Sequence, residues 1–319
     1  MKILITGSNG QLGTELVSRY LDRPQDEVFV GDLPDLDITS ELSVASVFSK
    51  IAPELVINCA AWTAVDAAEE KESSAFTVNA EGPAILATYC ARAGARMVQI
   101  STDYVFAGDA HEPYSENADA HPVTAYGRTK FAGENFVREL LPENHVIIRT
   151  AWLYSPTGHN FVKTIIRAQK EQDTLRVVTD QIGQPTCAGD LADQIISLLD
   201  TYQGSGTFHG TSSGVTSWFE FARAIMSEIG QDPERVLPTD SSSYVQAAPR
   251  PAYSVLGHLG WELVGMTPMR DWRIALHDAI PAIMTSRCGC AMPYAPVTRS
   301  MISLVVAAIK KYHHSEYLF

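Results

Sequence analysis

The sequence predicts an α/β chain, a doubly wound parallel sheet followed by a smaller C-terminal lobe, and three observations carry that reading. Short apolar runs alternate with longer stretches in which apolar residues recur every three and four positions, the pattern of buried strands separated by amphipathic helices. The runs are continuous in Val, Ile and Leu and do not alternate with polar residues, as strands covered on both faces require. A glycine-rich segment, Gly7-Ser8-Asn9-Gly10-Gln11-Leu12-Gly13, lies between the first run and the first helical stretch.

Taken in order, residues 2–6, 27–31, 55–59, 96–101 and 145–149 read as strands, and 11–21, 42–51, 73–93 and 124–141 as helices. These fill residues 1–150, the expected first domain. Beyond Thr150 the elements shorten and Gly and Pro intervene, with strands at 175–178 and 208–210 and helices near 190–199 and 218–229. Residues 151–283 therefore read as the smaller lobe, with elements free to interleave with the sheet. From 284 to 319 the character changes to Arg287-Cys288-Gly289-Cys290, an apolar run at 301–309 and Lys310-Lys311-Tyr312-His313-His314, an unassigned tail.

Apolar residues make up 45% of the 319 positions and charged ones 19%, yet no apolar run is long enough to cross a bilayer. A formal net charge of −13 argues against a nucleic-acid partner, whose phosphates call for clustered Lys and Arg. Five cysteines, Cys59, Cys90, Cys187, Cys288 and Cys290, are an odd number and mostly isolated. The Cys288 and Cys290 pair lacks the second half of a zinc site, so no metal is expected. Met1 to Thr6 enters a strand directly in place of a charged and then apolar leader, and reduced thiols in the cytoplasm are expected.

The glycine segment has the context of a dinucleotide loop, since it ends a strand and opens a helix. Gly7 permits the tight turn, Gly10 lets backbone approach a pyrophosphate, and Gly13 lets helix lie close on strand, while the helix N-terminus offers free amides and a positive dipole end. The sheet is thus Rossmann-like, with G-x-x-G-x-x-G spacing. Asp32, about twenty residues after the loop, ends the second strand where a carboxylate holds ribose hydroxyls, which favours NADH. Arg19 or Arg23 could offset a 2′-phosphate, so NADPH stays open. Asp37 and Ile38 are a second candidate pair, lining the adenine, although Asp37 equally suits the opening of the next helix. Asn58-Cys59-Ala60-Ala61 ends the third strand in small residues against which a cofactor can lie.

Tyr126 and Lys130 are four residues apart, one helical turn along one face. Carbonyl reduction needs a proton delivered as hydride arrives, and a phenol gives one up more readily beside a cation that stabilises phenolate. The same spacing also suits a packing tyrosine and a solvated lysine; its value comes from Ser101-Thr102-Asp103-Tyr104 at the carboxyl end of the fourth strand, where open α/β sheets place ligands. A Thr102 hydroxyl there can bond a substrate oxygen and share it with Tyr126. The alternative for Thr102 is the cap of a turn.

Taken together these residues resemble the extended short-chain dehydrogenase/reductase family and, within it, the dTDP-4-dehydrorhamnose reductases. The likeness covers residues 1–283 and rests on Ala60-Ala61-Trp62-Thr63-Ala64-Val65-Asp66, Ser101-Thr102-Asp103-Tyr104-Val105-Phe106, Tyr126-Gly127-Arg128-Thr129-Lys130, Arg149-Thr150-Ala151-Trp152 and Asp180-Gln181-Ile182-Gly183-Gln184-Pro185-Thr186, in that order. It implies reduction of the 4-keto group of dTDP-4-dehydro-L-rhamnose by NADPH or NADH, with Thr102, Tyr126 and Lys130 catalytic. It also implies that Thr102, Asp103 and Tyr104 meet the sugar, that Trp152 stacks near it, and that Arg250, in Arg250-Pro251, lies near the nucleotide end. Gly7, Gly10, Gln11, Leu12, Gly13, Asp32, Asp37, Ile38, Ala60, Ala61, Trp62, Thr63, Tyr126 and Lys130 are the implied cofactor contacts. Some relatives dimerise through carboxylate-held magnesium, but Cys187-Ala188-Gly189-Asp190 supplies one acid, so a homodimer stays open only without that bridge. Two rivals remain: a reductase or epimerase for another nucleotide sugar, and a regulatory subunit like the related β subunit of methionine adenosyltransferase, which the tail would suit and the intact Thr102, Tyr126 and Lys130 oppose.

Overall fold

The computed structural model describes residues 1–243 and 246–286, so the Cys288 and Cys290 pair and the run at 301–309 lie outside the described residues. The chain begins with β1 (Lys2–Thr6), α1 (Gln11–Leu21), β2 (Glu27–Gly31), α2 (Glu41–Ile51) and β3 (Leu55–Asn58). There follow α3 (Val65–Glu70), α4 (Glu72–Phe76), a π-helical turn over Thr77–Glu81, α5 (Gly82–Ala93), β4 (Arg96–Thr102), α6 (Ala125–Leu140) and β5 (His145–Thr150). The second half adds β6 (Leu153–Tyr154), α7 (Phe161–Glu171), β7 (Leu175–Val178), β8 (Ile182–Gly183), β9 (Thr186–Cys187), α8 (Ala188–Thr201) and β10 (Gly206–His209). It closes with β11 (Thr216–Ser217), α9 (Trp218–Glu228), β12 (Val236–Thr239), α10 (Leu259–Leu263) and α11 (Trp272–Thr285).

Six strands form one sheet in the order β10-β5-β4-β3-β1-β2, parallel at every pairing. The winding reverses between β1 and β3, where Thr6 pairs with Asn58, and a crevice opens at such a reversal beyond the carboxyl ends. Because side chains alternate along a strand, Ile3, Ile5 and Ile57 pack on one face with Leu16 and Tyr20 of α1 and Leu191 and Ile195 of α8. Leu4, Val56 and Met97 pack on the other with Val44 and Phe48 of α2, Leu86 of α5 and Val137 of α6. Each such side chain contributes roughly 1.5–3 kcal/mol on burial, which explains the continuous apolar runs at the centres of the strands. A second core joins Tyr154, Ile165, Phe221 and Trp272 between α7, α9 and α11. The sixth strand and α8 come from beyond residue 150 yet complete the first sheet and its cover.

Several boundaries follow from capping. Ser40 accepts from the Ser43 amide, Thr124 from Gly127, Asn160 from Lys163 and Ser217 from Glu220, so α2, α6, α7 and α9 each begin on a side-chain oxygen that satisfies a free N–H. The strand expected at 208–210 sits earlier, at Gly206–His209, because its register is set by pairing with Val146 to Arg149. The helix expected over 73–93 runs without a gap from Glu72 to Ala93, widening to a π-helical turn between α4 and α5. Pro83 has no N–H to give the Asn79 carbonyl, and Asn79 packs where a Cβ at Gly133 of α6 would run into that carbonyl oxygen. The wide turn thus carries Asn79 inward, fully buried.

A buried ion pair ties α6 to β5. Glu134 accepts from Arg149 Nε at 2.9 Å and Nη2 at 2.8 Å, and from Arg138 at 2.7 Å. Burial pushes the Glu134 carboxyl up, but the two guanidinium groups outweigh it and hold it below the usual range. Its stabilisation is present above the unfolded-state pKa and is lost as pH falls through the lowered folded value.

Gly133→Ala is expected to destabilise the fold by about 1–3 kcal/mol, the usual cost of overpacking. The urea midpoint measures it, and an unchanged midpoint would show that α6 can draw away from Asn79.

Candidate active site

The carboxyl ends of β1, β3 and β4 are joined by a chain of buried polar side chains. Thr6 Oγ1 donates to Asn58 Oδ1 at 2.5 Å, and Asn58 Nδ2 donates to Gln99 Oε1 at 2.7 Å. Above it Gly7 turns at φ +62°, and a Cβ there would stand 2.5 Å from the Ala60 nitrogen. A Cβ at Gly13 would run into the Gly7 carbonyl. The loop is therefore pressed backbone to backbone against the start of α1, which begins at Gln11 on an extended Gly10 that offers no side-chain cap. The first amides of a helix have no intrahelical acceptor, so this end presents donors and positive potential to an anion.

Gly7, Gly10, Gln11, Leu12, Gly13, Asp32, Asp37, Ile38, Ala60, Ala61, Thr63, Tyr126 and Lys130 all line one cleft of about 760 Å³; Trp62, expected with them, does not line it and packs with Tyr126 against Ala68, Ala75 and Ala125. Asp32 accepts from the Asn9 amide at 3.0 Å and the Leu33 amide at 2.9 Å. Asp37 accepts from the Thr39 amide and hydroxyl, while the cap of α2 is Ser40. Neither Arg19 nor Arg23 lines the cleft. Arg19 is held by Asp193 at 2.5 Å and Glu15 at 2.6 Å, and Arg23 by Asp200 at 2.7 Å and Asp26 at 2.9 Å.

Asn79, which the sequence reading passed over, fixes the Trp62 segment by accepting from the Trp62 amide at 2.8 Å and donating to the Trp62 carbonyl at 3.1 Å. It also donates to Thr129 Oγ1 on α6. The signal was there in a polar residue four positions before a proline. Gly127 is a second omission. A Cβ on it would run into the Tyr104 carbonyl, so this glycine lets the first turn of α6 bring Tyr126 onto the end of β4.

There Thr102 Oγ1 donates to Asp103 Oδ1 at 2.9 Å and accepts from the Tyr104 amide at 3.2 Å. Burial pushes the Tyr126 phenol up to about 12, and its hydrogen bond with Thr102 pulls against that rise. Lys130, on the same helix face, donates to the Ile100 carbonyl at 2.6 Å, and burial brings its ammonium down to about 8. Burial also raises the Asp103 carboxyl to about 6. Asp103 Oδ2 and Thr150 Oγ1 are buried without a hydrogen-bond partner, and both residues line the cleft. The arrangement holds a protonated phenol, a hydroxyl beside it and an ammonium one turn away, which suits proton delivery to an oxygen at the mouth of a dinucleotide groove.

A second cleft of about 1090 Å³ shares Tyr104 and Trp152 with the first and is lined by Arg250, Phe161, Arg176 and Trp218. Trp152 has φ +48°, lies face to face on Trp218 with ring centroids 3.6 Å apart, and leaves room for no Cβ at Gly183, which would stand 2.7 Å from its ring. Arg250 donates to Asp66 Oδ2 at 2.5 Å, and the Ala248 amide donates to Asp66 Oδ1 at 3.0 Å. The sequence reading placed Trp152 and Arg250 at the substrate and assigned nothing to Trp218, Phe161 or Arg176. Among the described residues no cluster of three metal-binding side chains occurs, and no helix is long and apolar enough to cross a membrane.

The family model described as RmlD substrate binding domain matches residues 1–284. A dTDP-4-keto-6-deoxy-D-glucose reductase of Streptomyces niveus is 45% identical over 282 residues, 88% of this chain and 96% of its own. A dTDP-4-dehydrorhamnose reductase of Streptomyces griseus is 44% identical over 294 residues, 91% of this chain and 96% of its own. Among solved structures, a dTDP-4-dehydrorhamnose reductase of Clostridium acetobutylicum superposes with a TM-score of 0.85 at 46% identity, over 89% of this chain and all of that one. Another, of Bacillus anthracis in complex with NADP, gives 0.84 at 41% identity, over 88% and 98%.

Gly7→Ala adds a side chain at a positive φ and against backbone that has no room to yield. It is expected to weaken dinucleotide binding about tenfold or more, since strain of roughly 1–3 kcal/mol must be met by moving the loop. Fluorescence titration of the reduced cofactor measures this, and unchanged affinity would place the pyrophosphate elsewhere.

Proposed function

The chain belongs to the RmlD substrate binding domain family, and from that premise we propose that it reduces the 4-keto group of dTDP-4-dehydro-L-rhamnose to dTDP-L-rhamnose with NADPH or NADH, Tyr126 giving the proton. The observation that carries this reading is the meeting of the two clefts at Tyr104 and Trp152, with the Tyr126 phenol kept protonated by burial in the first. The names of the relatives support the sugar class.

The bound dinucleotide supplies the hydride. The residues of this chain do the rest: the loop from Gly7 to Gly13 and the first amides of α1 receive the pyrophosphate, and Ala60, Ala61 and Thr63 form a wall against which the cofactor lies. Tyr126 then donates its phenolic proton to the oxygen that gains charge, and Thr102 bonds the same oxygen. Lys130 holds positive charge one turn from the phenol, where it eases the phenolate that remains. Trp152, stacked on Trp218, covers the sugar and excludes water. Arg250 sits on the second cleft beside Asp66, a cation for the diphosphate of the nucleotide.

A second substrate has its own support, because the relative at 45% identity is named a dTDP-4-keto-6-deoxy-D-glucose reductase. The chemistry at Tyr126 would be the same and the stereochemistry at the ring would differ. Cys59, Cys90 and Cys187 are free thiols, which suits a reducing cytoplasm. Asp190 is already held by Arg270 at 2.7 Å, which favours a homodimer, where one forms, that needs no magnesium.

Incubating the chain with reduced dinucleotide and each 4-keto sugar, and following absorbance, is expected to show oxidation with dTDP-4-dehydro-L-rhamnose. A folded protein inert toward both sugars would end this reading. Tyr126→Phe is expected to lower kcat by about a hundredfold or more, the scale of general acid catalysis, with dinucleotide affinity kept; retained turnover would put the proton donor elsewhere. kcat/KM should fall as pH rises through about 8, where Lys130 loses its charge, and Lys130→Arg should move that limb upward. An unmoved limb would assign the titration to another group.

A further inference from the structure

We infer that Asn160 is a positioning residue for the reduction: its side chain latches onto that of Gln11 and so sets the Trp152 wall against the dinucleotide. This rests on reading the first cleft as the dinucleotide site and the second as the site of the nucleotide sugar. Gln11 opens α1 and lines the first cleft. Its side-chain amide is taken up by the protein, Oε1 accepting from Asn160 Nδ2 at 3.0 Å and Nε2 donating to the Leu153 carbonyl at 3.4 Å. Other partners fix how the two amides face. Asn160 Oδ1 accepts from the Lys163 amide at 3.1 Å, capping α7, and Nδ2 also donates to the Ser155 carbonyl at 2.9 Å. Asn160 therefore meets Gln11 with its nitrogen, and Gln11 answers with its oxygen. Between the two anchored points the chain lies close on Gln11: Gly158 turns at φ +67°, and a Cβ there would stand 3.0 Å from Gln11 Cγ.

Asn160 stands where the wall of one cleft becomes the wall of the other. Gly158 and His159, before it, line the first cleft; Phe161 and Thr164, after it, line the second. The Phe161 ring lies 4.5 Å from that of Trp218, and Trp218 lies 3.6 Å from Trp152, which lines both clefts. The contacts close into a circuit. It runs along the chain from Trp152 to Leu153, by hydrogen bonds through Gln11 to Asn160, along the chain to Phe161, and through Trp218 back to Trp152. Trp152 has φ +48°, a conformation that a residue other than glycine keeps where its surroundings over-determine it. The circuit holds it from both sides, by the ring stack and by the Leu153 carbonyl. Losing the latch opens the circuit between the two walls that set the 4-keto carbon against the hydride donor, where a shift of about 1 Å can cost roughly a hundredfold in rate.

The test is steady-state kinetics of the full chain with reduced dinucleotide and the 4-keto sugar, beside dinucleotide affinity by cofactor fluorescence, for Asn160→Ser, Gln11→Met and the double variant. Serine caps a helix about as well as asparagine but has no amide to offer Gln11, and methionine keeps the length of Gln11 without its polar atoms. Asn160→Ser is expected to lower kcat/KM for the sugar about tenfold or more with dinucleotide affinity kept, circular dichroism confirming the fold. The double variant should lose little beyond the larger single loss, because the two side chains act as a unit. Full kcat/KM in folded Asn160→Ser would leave Asn160 a helix cap alone and overturn the inference. Losses that multiply in the double variant would break the pairing with Gln11 and overturn it as well, as would a parallel loss of dinucleotide affinity in Asn160→Ser, the mark of a loosened fold. Should Asn160→Ser fail to fold, Gln11→Met decides, and undiminished kcat/KM there overturns the latch. An unaltered chain inert toward the sugar would instead bring down the reductase reading itself.

Discussion

Everything at the site depends on backbone meeting backbone at the carboxyl ends of the strands. Gly7 lies against Ala60, Gly13 against Gly7, Gly127 against Tyr104 and Gly133 against Asn79, each at a separation that no side chain could share. These contacts set how deep the phosphate loop sits, how α6 approaches β4, and how far the wide turn before α5 reaches into the interior. The polar chain from Thr6 through Asn58 to Gln99 runs beneath them and satisfies groups that would otherwise be buried at a cost. Positions of functional atoms are therefore inherited from main chain, which has few ways to relax.

Desolvation then acts on two charges of opposite kind within one turn of helix. It raises the Tyr126 phenol and lowers the Lys130 ammonium, so the same dry environment keeps the acid protonated and makes the cation less costly to discharge. Thr102 moderates the first effect, and Glu134 with Cys59 the second. Glu134 is in turn held by Arg149, which joins the helix carrying Tyr126 to the strand leading to Trp152. This buried ion pair thus ties the helix that bears Tyr126 to the strand that ends just before Trp152.

Most of the sheet was legible in the sequence because both-face burial leaves continuous apolar runs; 2–6, 27–31 and 175–178 match β1, β2 and β7 residue for residue. The helix over 73–93 was legible, but the π turn inside it was not, because the apolar spacing continues through it and what sets it is one missing N–H at Pro83. Asn79 and Gly127 were overlooked since their purpose appears only when another segment, distant in sequence, lies against them. The same holds for Arg19 and Arg23, whose charge is visible in the sequence but whose partners Asp193 and Asp200 are over a hundred residues away. Thr102, Tyr126 and Lys130 were legible as a group because two short motifs carry them. Trp218 had no local pattern to announce it, and the stack it makes with Trp152 is a fact of packing.

The second cleft is built differently from the first. Its walls are side chains, Trp152, Phe161, Arg176, Trp218 and Arg250 among them, borne on α7, β7, α9 and the segment before α10. Point changes there alter shape and charge without disturbing a main-chain contact, whereas changes in the glycine cradle would cost the fold. Divergence in what is reduced can therefore proceed at these positions while the machinery that carries the electrons stays fixed, and one scaffold can give rise to a set of enzymes that differ in sugar and share a donor.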